Sequence, residues 1–202
     1  MNERAVAELI VQLGRMAHGD GVVSGLTPVQ WTALRYFALA NRFSRRPSSF
    51  AEWHGTTRGT ASQTTESLVA KGYLVRTPSD ADGRSTRLDL TDRAKAILAN
   101  DPFEVLVRAA GALPPGVRRL LGNALERMLG HVARERSKRP FGACTSCEHL
   151  EGDGHCRDGE PPYQCGFVGE PLVETELQQL CINFAPGRNS AIKRSLVEKS
   201  PK

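Results

Sequence analysis

Cysteine is missing from the first 143 residues of this 202-residue chain, and aromatic residues make up only 6% of the whole. The first absence excludes disulfides, thiolate ligands and thiol redox sensing from the larger part of the protein. Long apolar runs are missing as well. No window approaches the roughly 18 uninterrupted apolar residues of a membrane-spanning helix. The N-terminal segment sets Glu3, Arg4 and Glu8 inside its apolar pattern, where a signal peptide would have a hydrophobic stretch and a small-residue cleavage site. The expectation is a cytoplasmic protein with no membrane partner. No dinucleotide-binding glycine motif, nucleophile elbow or phosphate-binding loop is visible either, so no catalytic residue is assigned. A redox enzyme or electron carrier is the least favoured class.

What is present divides the chain in two. Residues 1–140 hold 21 Lys and Arg against 13 Asp and Glu, whereas residues 141–202 hold 6 against 9. A basic body suits a polyanionic partner, because excess Lys and Arg neutralise phosphates and release counterions. A well-solvated surface is the plainer reading of the same charge. The cysteines divide at the same place: Cys144, Cys147, Cys156, Cys165 and Cys181 fall within 38 residues. With 40% apolar residues the length supports one sizeable core plus a small appendage.

Along the body, Val6, Leu9, Ile10, Leu13 and Met16 recur at helical spacing. Thr27 before Pro28 starts a second, largely buried helix with Trp31, Leu34, Tyr36, Phe37 and Leu39, which Arg45, Arg46 and Pro47 end. Ser48 or Ser49 caps a short third helix over Phe50–His54, broken by Gly55. Thr56 or Thr57 caps a fourth, which turns Ala61, Leu68 and Val69 inward and Arg58, Thr60, Ser62, Gln63 and Thr64 outward. Two short helices across a tight glycine turn match the helix-turn-helix plan, whose second helix enters a DNA major groove between Arg58 and Lys71 here. Strands around Leu74–Pro78 and Thr86–Leu90 flank an Asp82-Gly83 turn, a wing whose tip presents Arg84 and Arg87 to a minor groove. Thr91 and Asp92 open another helix. After Pro114 and Pro115, Val117, Leu120, Leu121, Leu125, Met128, Leu129 and Val132 form a stripe longer than one winged helix needs. That excess implies burial against a second copy of the chain.

The order of these elements, with LTPVQWTALRYF, LVAKGYLVR and SDADGRSTRLDLTDRAK, resembles the MarR family of bacterial winged-helix transcription regulators over about residues 5–135. Asp80, Asp82, Gly83 and Arg84 stand where the family's Asp-x-Arg-Asp-x-Arg-like turn lies, and Leu90-Thr91 matches its entry to the next helix. Ala81 departs from it at a place often basic. The resemblance implies a homodimer whose first and last helices interlock, two winged helices on a pseudo-palindromic operator in double-stranded DNA, and a possible small aromatic effector. The fold expected is mainly α with a small β wing: a winged-helix DNA-binding and dimerisation domain over 1–140, a loop-rich metal-binding module over 141–185 and a disordered tail over 186–202.

In that module Cys144-x2-Cys147 can present two thiolates to a metal from one tight turn, and three further Cys in a Gly- and Pro-rich stretch can complete the site. No second C-x2-C is present, and single thiolates from separated loops suit a [4Fe–4S] cluster better than zinc, which stays the alternative. Some MarR-like regulators carry a C-terminal cysteine extension that this one looks like. That likeness implies Cys144, Cys147, Cys165 and Cys181 as ligands and Cys156 as a spare or exchanging fifth. His149 and His155 read as solvated loop residues, and Cys181 could instead be a buried residue on a Leu177–Leu180 helix face. Together these point to operator binding modulated by an iron–sulfur cluster that senses redox state, oxygen or iron. The alternative is a structural zinc site with an aromatic effector as the signal.

Overall fold

The computed structural model describes residues 2–17, 24–78, 86–152 and 162–187. Helices α1 (Glu3–Ala17), α2 (Pro28–Leu39), α3 (Pro47–His54) and α4 (Arg58–Ala70) lead into strands β1 (Leu74–Pro78) and β2 (Thr86–Leu90). Helices α5 (Asp92–Leu98), α6 (Glu104–Gly111) and α7 (Pro115–Glu135) follow. The fold is the expected one: mainly helical, with an antiparallel wing.

Local chemistry explains most of the boundaries. At the start of α2 the Thr27 hydroxyl accepts the Gln30 N–H, and the Gln30 side chain accepts the Thr27 N–H at 3.0 Å, with Pro28 in the first turn. Leu26, Trp31, Leu34, Tyr36 and Phe37 then pack with Phe50, Ala61, Leu68 and Leu88 in one core. Leu39, expected inside, is 57% exposed, because the helix ends there. Helix α3 begins earlier than expected. Pro47 starts it rather than ending its predecessor, since proline's fixed φ suits a first helical turn, and Ser49 is buried in the packing instead of capping. Gly55 closes α3 at φ 72°, the left-handed conformation that lets the chain turn sharply into α4. The hairpin pairs Leu74 with Leu90 through Pro78 with Thr86, and Thr91 caps α5 through the Ala94 N–H.

The remaining helices are far less covered. Helix α1 packs against α6, yet α6 and α7 bury no residue in the single chain. Leu120 and Leu129 of α7 are 68% and 70% exposed, and Leu9, Leu13 and Met16 of α1 are exposed as well.

Beyond α7 lies a small module with strands β3 (Gly142–Ala143), β4 (Leu150–Glu151), β5 (Tyr163–Cys165), β6 (Glu170–Leu172) and β7 (Leu180–Cys181). The order β4-β5-β6 makes one antiparallel sheet and β3-β7 another. Each of these strands is only two or three residues long. Cys144, Tyr163, Cys165, Leu172 and Leu177 form its core. Gly142 is required where it stands, since a Cβ there would meet the Phe184 ring at 2.7 Å. Cys181 sits on a strand, not on the helix face considered for it.

The module is tied to the body by more than the chain that leads into it. It docks on the winged helix itself: the Asn41 N–H donates to the Leu180 carbonyl at 2.9 Å, the Ile182 N–H donates to Ser44 Oγ at 2.8 Å, and Arg42 pairs with Glu170 and Glu176. The covalent link from α7 is thus not its principal tie to the body.

Candidate DNA interface and thiol centre

The recognition helix α4 is started by Thr57, whose hydroxyl accepts the Thr60 N–H at 3.2 Å. Arg58, Thr60, Ser62 and Gln63 are exposed on its opening turns. Thr64 is not. It is buried at 8% exposure and its hydroxyl donates to the Thr60 carbonyl, because position 64 follows Ala61 onto the packed face. Lys71 is likewise committed elsewhere, donating to the Gly25 carbonyl at 2.7 Å and to Gln30 Oε1 at 3.1 Å. Arg76 pairs with Glu66 across the wing base.

Arg87, expected at the wing tip, lies within β2, and its Nε donates to Asp89 Oδ2 at 2.9 Å. Asp89 also accepts from Arg45 at 2.7 Å and from Thr77 at 2.6 Å. Burial opposes its charge, but these three donors outweigh burial and hold its carboxyl below the usual range. Arg87 therefore braces the wing. Arg84 falls in 79–85, outside the described residues.

Four of the five cysteines lie within the described residues and carry free thiols; Cys156 and His155 fall outside them. Cys144, Cys165 and Cys181 are buried, while Cys147 is partly covered. A tight turn in which the Cys147 N–H donates to the Cys144 carbonyl at 2.9 Å brings the C-x2-C pair together. The β3-β7 pairing adds Cys181 and strand β5 adds Cys165. Burial pushes the Cys144 thiol up to about 12, and negative charge on Cys181, Cys147, Cys165 and Glu176 pushes in the same direction. Cys144 is thus within electrostatic reach of the other three sulfurs. Cys181 is raised by burial too, opposed by hydrogen bonds from Asn41 and the Asn183 backbone. His149 lies against the Phe167 ring, in keeping with a loop residue rather than a ligand.

Among the described residues no three His, Cys, Asp or Glu side chains stand in the spacing of a ready-made single-ion site. Two sulfurs on one tetrahedral zinc would be roughly 3.8 Å apart, given Zn–S bonds of about 2.3 Å. The surrounding donors nonetheless fit a charged thiolate centre. Cys147 Sγ accepts the Ala185 N–H at 3.5 Å. The amide nitrogen of the fully buried Asn41 has no hydrogen-bond partner among the described residues.

A cavity of about 540 Å³ opens between the module and the start of α4. Arg42, Arg46, Arg58, Arg87 and Lys138 line it against Glu52 and Glu170.

Residues 24–85 match the family model described as MarR family. This chain is similar to the MarR family over that segment, which is less than a third of its length. Among solved structures, it is similar to a MarR transcriptional regulator from Methanosarcina mazei Go1 at 22% identity and a TM-score of 0.50, over 65% of this chain and 99% of that one. It is also similar to a MarR protein from Peptoclostridium difficile at 16% identity and a TM-score of 0.51, over 65% and 87%. At such identities the likeness is one of fold. No curated protein sequence matches. The family match ends at residue 85, short of the cysteine module. None of the chain's described helices is long and apolar enough to cross a membrane.

Module docking on the α2–α3 connection is what sequence reasoning missed. Asn41, Arg42 and Ser44 carry no motif, and the one signal was polar residues between two strongly apolar helices.

Proposed function

We propose that this MarR-type transcription regulator binds a pseudo-palindromic operator as a homodimer, and that a thiolate-bound metal centre in its C-terminal module modulates the binding. The observation that carries the reading is the convergence of Cys144, Cys147, Cys165 and Cys181 on the flank of the winged helix. The exposed apolar faces of α1 and α7 supply the dimer contact, and burying them removes a hydrophobic surface too large for a stable monomer. In DNA, Arg58, Thr60, Ser62 and Gln63 read the major groove and Arg84 the minor groove.

Single thiolates that arrive from separated turns and strands suit a [4Fe–4S] cluster, whose irons lie apart and each take one ligand. Such a cluster supplies one-electron redox chemistry when bound. The chain's own part is to bury Cys144, Cys165 and Cys181 and to direct the Ala185 N–H at the Cys147 sulfur. Cys156 remains a spare thiol. A second reading keeps DNA binding but makes the centre a structural zinc, with a small effector as the signal; the cationic cavity favours an anionic one.

Selection of duplexes from a random-sequence pool by the full chain, prepared without oxygen and again after metal removal, tests the proposal. An inverted repeat with half-sites one helical turn apart, bound with different affinity by the two preparations, is expected. Recovery of no repeat would refute the operator reading, and identical affinity would refute the modulation.

A further inference from the structure

We infer that the cavity between the module and the winged helix binds a small hydroxylated phosphate monoester, of the sugar-phosphate class, and that its occupant competes with DNA for Arg58. The competition rests on the operator reading above; the site itself does not. One wall, with Val168, Glu170, Ile182 and Asn183, comes from the module, and the other comes from the winged helix and the end of α7, so the cavity exists only because the module docks. Its volume of about 540 Å³ falls within the roughly 300–1,000 Å³ of small-molecule sites. Most such sites are lined by apolar groups, whereas here charged and hydroxyl-bearing side chains dominate and Phe43, Val168 and Ile182 form a smaller apolar part.

The charge of the wall selects the ligand. Arg42 is answered by Glu170 and Glu176, and Arg87 by Asp89. The Arg58 and Lys138 side chains line the same cavity and have no ion pair or hydrogen bond among the described residues. Two unanswered cations match a phosphate monoester, which carries a charge of about −1.5 to −2 near neutral pH, better than a single carboxylate. Arg46 adds a planar guanidinium suited to phosphate oxygens. Helix α3 supplies a further attraction: Ser48 and Ser49 of its first turn line the cavity, and the helix has no side-chain cap, so the positive end of its dipole faces the ligand. Glu52 on the same wall also has no ion pair among the described residues. It opposes a second anionic group and accepts hydrogen bonds from hydroxyls, which is why the ligand is an ester of a polyol rather than a polyphosphate. Arg58 belongs to the cavity and to the exposed opening turn of α4 alike. A phosphate that holds it there takes one charge from the DNA face, and by linkage bound DNA weakens the ligand by the same factor.

The test is isothermal titration calorimetry of glucose 6-phosphate into the full chain as wild type, Lys138→Ala and Glu52→Gln, with glucose, inorganic phosphate and citrate as comparison ligands. Operator affinity is measured with and without glucose 6-phosphate. Wild type is expected to show one saturable site per chain that binds the three comparison ligands at least about 10-fold more weakly. Lys138 is exposed beyond the end of α7, so Lys138→Ala leaves the core intact, and it should weaken glucose 6-phosphate by roughly 10-fold or more, the worth of a charge-assisted hydrogen bond. Glu52→Gln should narrow the gap between glucose 6-phosphate and inorganic phosphate. Saturating glucose 6-phosphate should weaken operator binding of wild type by about 5–150-fold and lower the slope of log affinity against log salt by about one per protomer, and should do neither in Arg58→Ala. The site is overturned if glucose 6-phosphate shows no saturable binding at millimolar concentration, if Lys138→Ala binds it as wild type does, or if glucose or citrate binds as tightly. It is also overturned if Lys138→Ala lowers operator affinity and salt slope as Arg58→Ala does, because the cavity then serves DNA phosphates. Glucose 6-phosphate that binds as expected but leaves operator affinity unchanged overturns the competition. The calorimetry uses no DNA, so a protein that selects no operator overturns the operator reading and the competition while the titrations still decide the site.

Discussion

Removing Arg35 should cost the winged helix a large share of its stability. Arg35 of α2 places Nη1 at 2.9 and 3.1 Å from the two carboxylate oxygens of Asp101, in the turn that links α5 to α6, and its Nη2 donates to Thr32 Oγ1 at 3.1 Å. The guanidinium also lies 4.7 Å from the Phe103 ring centroid. The side chains are 16% and 5% exposed, so this is a pair withdrawn from water. Deleting one member of such a pair strands the other charge, at about 3–5 kcal/mol. In Arg35→Met the Asp101 carboxylate still accepts the Phe103 N–H at 2.8 Å, which places the loss near the lower end, about 3 kcal/mol. For a protein of this size that is a fall in Tm of roughly 6–12 °C. Adding Asp101→Asn removes the stranded charge but keeps an oxygen for the Phe103 N–H, so the double variant should recover about half the loss. Urea denaturation of wild type, both single variants and the double variant closes the cycle. A loss below about 1 kcal/mol for Arg35→Met, or a double variant no more stable than that single one, would refute the argument.

Five further outcomes are expected. Thr57→Ala removes the cap of α4 and should cost roughly 1 kcal/mol by urea denaturation, with weaker operator binding by fluorescence anisotropy. Arg58→Ala and Arg84→Ala should each lower affinity and reduce the slope of log affinity against log salt by about one, whereas Arg87→Ala should lower stability as well because Arg87 braces Asp89. Leu120→Glu with Leu129→Glu should yield a monomer by light scattering, since a charge at each protomer's exposed stripe opposes its burial. The raised Cys144 and Cys181 thiols are protonated at neutral pH in metal-free protein, so metal uptake should release protons and strengthen as pH rises from about 7 to 9. For the same protein, the contribution of Cys144 to stability is complete below the ordinary thiol value of 9.0 and is lost as pH climbs towards about 12, which denaturation midpoints across that window would register.

Much of the winged helix was legible because its signals are local. Thr27 with Pro28, Thr57 and Thr91 cap helices through their own side chains, and the alternation in β1 and β2 needs only neighbouring residues. The unpartnered stripe on α7 could be read from periodicity. Pro47 misled because a proline that ends one helix and one that begins another look alike until packing decides. Thr64 and Arg87 misled for a similar reason: a polar side chain shows which hydrogen bonds it can make, not whether Thr60 or Asp89 will be the partner. The cysteine cluster could be seen as a group of ligand types, but its placement could not. Asn41, Ser44 and Arg42 meet Leu180, Ile182 and Glu176 across more than 130 residues of sequence, and nothing local encodes that meeting.

The central claim is that four sulfurs of one module hold a metal centre on the flank of a DNA-binding dimer. Iron, zinc and acid-labile sulfide per chain, measured on full-length protein purified without oxygen and on Cys144→Ser, Cys156→Ser and Cys181→Ser, test it most directly. The account predicts about four irons and four sulfides per chain in wild type and Cys156→Ser, and near loss of both in the other two variants. A wild type with all sulfurs free and no iron or zinc, or equal metal content across all three variants, would contradict it.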